Sequence, residues 1–200
     1  MTSLTLPTLP TPLAWLHDPV AATTQNGALQ FAAGPLTDWF NDPAGELAKG
    51  NAPVTLFSPP DATFRLSAQV TVDFAATYDA GVLFVYAAPD RWAKLCFELS
   101  PQGQPTVVSV VTRGVSDDCN SLTIDGKSVY LRVYRAGEVF AFHYSDDGRI
   151  WRLVRYFRLE QGELARIGFS VQSPVGAGCR ARFDAIEYQA GPLSDLRSGA

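Results

Sequence analysis

Between Phe64 and Phe74 every second residue is apolar: Phe64, Leu66, Ala68, Val70, Val72 and Phe74. That period of two sends alternate side chains to opposite faces of an extended chain and predicts a long strand. The same pattern predicts further strands over 81–87, 92–99, 106–112, 129–135, 138–144, 151–157, 165–171 and 180–188. Turn residues separate them at Pro89-Asp90, Gln102-Gly103, Asp125-Gly126, Ala136-Gly137, Asp146-Asp147-Gly148, Gln161-Gly162 and 173–178. Upstream, 29–32, 37–40 and 54–57 read as short strands, and 41–50 as a loop. No amphipathic helix is written anywhere. About a dozen antiparallel strands joined by short turns must each bury one face, so the predicted fold class is all-β, an antiparallel two-sheet sandwich of jelly-roll type, with a closed barrel as the alternative. The domain pattern is a flexible lead-in over 1–12, one sandwich domain over 13–190 and a fraying tail over 191–200.

Strand phase also selects candidate surface chemistry. Over 91–99, RWAKLCFEL, the residues Ala93, Leu95, Phe97 and Leu99 form a core face, which turns Trp92, Lys94, Cys96 and Glu98 the other way. An outward face with an indole, a thiol and two opposite charges suits a groove wall better than open solvent. Assigning Leu131 and Val133 to the core turns Tyr130, Arg132 and Tyr134 outward. Assigning Ile167, Phe169 and Val171 to it turns Arg166, Gly168, Ser170 and Gln172 outward. Together with His143 or Tyr144, these make a candidate groove of Trp92, Lys94, Glu98, Arg132, Tyr134, His143, Ser170 and Gln172, expected on one curved sheet and suited to a polar, partly apolar ligand such as a sugar. The competing expectation is structural: Glu98 and Arg132 on neighbouring strands would form an ion pair that holds the sheet together.

Composition narrows the function classes. A net charge of −4 with scattered basic residues argues against a nucleic-acid surface. No run approaches the ~18 apolar residues of a spanning helix, and the opening MTSLTLPTLPTPLAWL, broken by Pro7, Pro10 and Pro12, has no basic region of a signal peptide. Three cysteines, Cys96, Cys119 and Cys179, leave one unpaired under any pairing, which points to a reducing, cytoplasmic setting with three free thiols. Those cysteines lack metal-ligand spacing, no phosphate-binding glycine loop is present, and Asp146-Asp147-Gly148 reads as a hairpin turn, so no metal and no cofactor are expected.

Six motifs in order, Tyr78-Asp79-Ala80-Gly81-Val82, Trp92-Ala93-Lys94-Leu95 with Phe97-Glu98, Val110-Val111-Thr112 with Ser116-Asp117, His143-Tyr144-Ser145 with Asp147-Gly148, Trp151, and Ser173-Pro174 with Gly176 and Gly178, resemble the domain of unknown function 1349. That family is related to a yeast regulator-of-enolase protein. The resemblance spans about 15–188 and implies a concanavalin A-like lectin/glucanase sandwich, with related domains attached to glycoside hydrolases. It supplies no catalytic residue. The chain departs from the pattern at Cys119-Asn120-Ser121, where a bulky residue is expected.

The expected function is therefore a non-catalytic, cytoplasmic sandwich domain that binds a carbohydrate-like or small polar ligand, or a protein partner, on the candidate face. A second expectation is a glycan-acting enzyme built on Glu98, which needs a second carboxylate from Asp79 or Asp117 because glycoside chemistry flanks the scissile bond with two acids. A third, implied only by the yeast resemblance, is a regulatory partner of a metabolic enzyme.

Overall fold

The computed structural model describes residues 3–200. In chain order the strands are β1 (Ser3–Leu4), β2 (Leu13–His17), β3 (Ala21–Gln25), β4 (Ala28–Ala33), β5 (Trp39–Asn41), β6 (Ala48–Gly50), β7 (Val54–Phe57), β8 (Thr63–Val72) and β9 (Ala80–Ala88). They continue as β10 (Arg91–Leu99), β11 (Pro105–Arg113), β12 (Val115–Thr123), β13 (Ser128–Ala136), β14 (Val139–Ser145), β15 (Arg152–Arg158), β16 (Arg166–Gln172) and β17 (Cys179–Ala190). One antiparallel sheet runs β1-β2-β7-β16-β9-β10-β11-β12 and the other β15-β14-β13-β8-β17-β4-β3, while β5 and β6 form a separate hairpin. The result is the predicted two-sheet sandwich.

The apolar faces read from the alternation form its core. Leu66, Val70, Leu95, Phe97, Leu131, Val133, Ile167 and Phe169 are fully buried between the sheets. The sheets approach closely enough at Gly81 that an added Cβ would lie 2.6 Å from Val70 Cγ1, which only a glycine permits. In β17, Ala185 and Ile186 together oppose Ala68, a bulge with Ala185 at φ 46°. The bulge resets the phase, so Phe183 and Ile186 both enter the core.

Two strands lack the hydrophobic signal. β3 is exposed along its length and β12, VSDDCNSLT, is polar on both faces. Each is an edge strand paired on one side, where hydrogen bonds rather than burial define the element. β12 contains the Cys119-Asn120-Ser121 departure. The 41–50 loop likewise turns out to include the second half of the β5–β6 hairpin, with Trp39 opposite Gly50.

The two chain ends expected to be flexible are held against the sandwich. Ser3 and Leu4 pair with Ala14 and Leu13, and Leu6 and Leu9 are buried in the core; Met1 and Thr2 lie outside the described residues. At the other end, the Gly199 carbonyl accepts a hydrogen bond from Arg132 at 2.6 Å, and the Leu196 carbonyl one from His143 Nε2 at 2.7 Å. These contacts anchor 191–200 on the seven-stranded sheet.

Candidate functional site

The candidate residues divide between the two outer faces of the sandwich. Trp92, Lys94 and Glu98 on β10, with Ser170 and Gln172 on β16, face outward from the eight-stranded sheet. Arg132 and Tyr134 on β13 and His143 on β14 belong to the other sheet, so the expected single groove of eight is corrected to the five residues on β10 and β16. Alternation separates inside from outside but does not say which of two outsides a strand shares. The structural ion pair between Glu98 and Arg132 is excluded for the same reason. Arg132 instead stacks over Trp151 at 3.7 Å to the ring centroid, and burial followed by repulsion from Arg65 lowers its pKa to about 10. His143 is fully buried, and burial holds its pKa below the ordinary histidine range. Tyr134 is buried too.

On the eight-stranded sheet, the β5–β6 hairpin divides the outer face. Trp39 lies over this face, its ring meeting Phe84 at 5.2 Å and Trp92 at 5.7 Å, and its Nε1 donates to Ala52 O at 3.0 Å. Trp92 also stacks on Phe84 at 5.8 Å and is 1% exposed, so it is a packing residue beneath the hairpin and not a groove platform. Ser170 is likewise used internally, donating to Pro53 O at 2.8 Å. The hairpin is anchored on both flanks. On one side Asn41 N donates to Ser116 Oγ of β12 at 2.9 Å, and on the other Thr37 and Ser173 exchange backbone hydrogen bonds at 3.1 Å.

Beside the hairpin lies a cavity of about 310 Å³, lined by Asp38, Phe40, Leu47, Lys49, Tyr78, Lys94, Glu98, Val110, Asp118, Gln172, Pro174 and Val175. Its buried wall carries a continuous polar relay. Lys94 Nζ donates to Asp38 Oδ1 at 3.0 Å and to Gln172 Oε1 at 2.9 Å, and the Gln172 amide nitrogen lies 3.4 Å from Glu98 Oε2 and from Tyr78 O. Register explains the convergence: Glu98 and Gln172 both pair with Ala80 across β9, which brings them to one row. Leu47, Tyr78 and Val175 are exposed apolar side chains around the same cavity. Tyr78 also sits at φ 69°, a left-handed conformation that costs a non-glycine residue energy and recurs at binding sites.

Electrostatics set the protonation states. Burial pulls the Lys94 pKa down, but attraction chiefly from Asp38 outweighs it, and the net shift is upward, so Lys94 is an ammonium. Burial raises the Glu98 carboxyl to about 8; Lys94 opposes the shift while Asp118 and Asp38 add to it. Burial also raises Asp118, and Cys96 is raised by burial into an unreactive thiol. The three cysteines are unpaired. Among the described residues no cluster of three or more potential metal ligands occurs, and no helix is long and apolar enough to cross a membrane.

The second carboxylate of the enzymatic expectation is not where the sequence placed it. Asp79 is fully buried and consumed by hydrogen bonds from Ala75 N, Ala76 N and Ser173 Oγ at 2.9, 2.8 and 2.6 Å. Asp117 pairs with Arg155 at 2.8 Å, pointing away from its neighbour Asp118, which lines the cavity. Sequence reasoning missed Asp38, Asp118, Phe40, Lys49 and Tyr78. Period two along β12 separates Asp117 from Asp118, but the polar strand gave no core face against which to set the phase; Asp38 had no signal, because its partner Lys94 lies 56 positions away.

A yeast protein described as functionally unknown superimposes with a TM-score of 0.83 at 21% identity, covering 91% of this chain and 97% of that one. The GH43 protein BlXynB from Bacillus licheniformis gives 0.68 at 15% identity, covering 84% of this chain and 34% of the enzyme, so the chain spans about a third of that protein's length. The carbohydrate-binding module CBM66 from Bacillus subtilis gives 0.55 at 13% identity, covering 94% and 99%. At these identities the likeness is one of fold. No curated protein matches the chain. The family model described as Protein of unknown function (DUF1349) matches residues 15–191, most of the length and all of the cavity wall, and the chain belongs to that family.

Proposed function

We propose that the chain is a non-catalytic binding domain that takes a carbohydrate-like ligand in the cavity beside the β5–β6 hairpin. The observation that carries this reading is the combination of a buried Asp38–Lys94–Gln172–Glu98 relay with the exposed apolar side chains of Leu47, Tyr78 and Val175 around one hollow. Concave sites with a few convergent polar groups in an apolar lining are how folded proteins bind small polar ligands. The carbohydrate-binding module and glycoside hydrolase among the fold neighbours support the ligand class. Three unpaired cysteines support a cytoplasmic setting.

The test is a glycan array followed by calorimetry on wild type and Gln172→Leu. Loss of Gln172 removes the link between Lys94 and Glu98, so binding should weaken at least tenfold, while Tyr156→Ala, exposed on the opposite sheet, should leave it unchanged. Equal binding by wild type and Gln172→Leu rejects the site.

A second reading is favoured by one observation: a carboxyl with its pKa raised to about 8 is a general acid at neutral pH. In that reading Glu98 protonates a glycosidic oxygen and Asp118, across the cavity, is the second carboxylate. Glu98-dependent release of phenol from phenyl glycosides, whose leaving group needs protonation, would select it over the binding domain.

A further inference from the structure

Resting on the carbohydrate reading of this cavity, we propose that its ligand is a single uncharged sugar ring, that acidic sugars are discriminated against, and that the Glu98 carboxyl donates a hydrogen bond to a ligand oxygen. The volume supports one ring, since about 310 Å³ is at the lower end of the ~300–1,000 Å³ typical of small-molecule sites.

The polar groups in place discriminate by charge. Lys94 is the cation at the buried wall, but its charge is already matched by Asp38 at 3.0 Å and a second proton is committed to Gln172. An ammonium has three protons, so one remains for a ligand, without a free positive charge behind it. Glu98 has no cation in ion-pair contact among the described residues; its contact is the Gln172 amide at 3.4 Å. The titratable and polar groups that line the cavity with Glu98 are Lys94 on its own strand, Asp118 from β12, Asp38 before β5, Lys49 from β6, Gln172 from β16 and Tyr78. With Glu98 protonated, two lysines stand against Asp38 and Asp118, so no positive charge is in surplus, and Lys49 is turned toward Pro174 O at 3.3 Å.

Such a basin does not welcome an anion. A carboxylate or phosphate on the ligand would give up its hydration with no surplus cation to replace it and would be repelled by Asp118. A sugar hydroxyl both donates and accepts, which matches a protonated carboxyl, an amide and a charge-compensated ammonium. Burial keeps the proton on Glu98 up to about pH 8, so the donor is present at neutral pH.

The experiment is calorimetry of the whole chain with methyl glycosides of neutral pentoses and hexoses, against glucuronate and galacturonate, from pH 6 to 9.5. A neutral sugar should bind, its uronate should bind at least tenfold more weakly, and affinity for the neutral sugar should fall about tenfold per pH unit once Glu98 ionises above about pH 8. Glu98→Gln, a permanent hydrogen-bond donor, should abolish that fall and bind more tightly than wild type at pH 9.5. Uronates that bind as well as or better than neutral sugars overturn the charge argument but leave the carbohydrate reading standing, as does a pH profile that Glu98→Gln does not alter. Binding of no sugar at any pH removes both.

Discussion

Replacing Trp92 by alanine asks whether that indole belongs to the fold or to a ligand. The ring is 1% exposed, stacked on Phe84 with an interplanar angle of 21° and met edge-on by Trp39 at 78°. An aromatic side chain buries about 150–250 Å², which at ~25 cal/mol per Å² is about 4–6 kcal/mol. Denatured chains keep part of that surface covered, which lowers the figure. Large-to-small aromatic truncations cost about 3–5 kcal/mol, so a loss of about 4 kcal/mol is expected. For a chain of this length it corresponds to a fall in Tm of about 8–16 °C. Urea unfolding followed by circular dichroism gives the free energy, and calorimetric melting gives the shift. Trp92→Phe, which keeps a ring against Phe84, should recover more than half of it. A loss below about 1 kcal/mol, accompanied by lost glycan binding, would refute the packing role and return Trp92 to the groove.

Other perturbations address different parts of the structure. Gly168→Ala drives a Cβ into Thr55 O and to 2.9 Å from Thr55 C in the paired backbone of β7, which cannot yield as a flexible side chain would. We expect a loss of about 3 kcal/mol or more in urea, and a change within 0.5 kcal/mol would show that β7 and β16 separate freely. Thiol titration of the unreduced chain should release one fast equivalent from exposed Cys119 in the native state and three after denaturation; a single equivalent in denaturant means a disulfide has formed. Because folding raises the Glu98 pKa to about 8, the folded state holds a proton that the unfolded chain has released between pH ~4.5 and ~8. Stability therefore falls as pH rises through that window, by at most about 1.4 kcal/mol per unit, and is level above it. The difference between wild type and Glu98→Gln in unfolding free energy isolates this slope, and a difference independent of pH would disprove it.

What the chain determined by itself was inside against outside. The period of two in 64–74, 92–99, 129–135 and 165–171 assigned Phe64, Leu95, Phe97, Leu131, Val133, Ile167 and Phe169 to a core that the structure buries completely, because in a strand burial is a local property of residue parity. It also placed Lys94, Glu98 and Gln172 on an outer surface together. Which surface was beyond it. Parity is identical for both sheets of a sandwich, so Arg132, Tyr134 and His143 carried the same signal as Lys94 and yet lie on the opposite side. Polar edge strands such as β12 bury no face and leave no period, which hid Asp118. The cover over Trp92 and the partner of Lys94 come from the hairpin that holds Trp39 and from Asp38 just before it, brought over β10 across more than fifty positions. Such contacts depend on how strands are ordered and where a loop folds back. Only the assembled tertiary structure decides them, and with them which outward residues share a cavity.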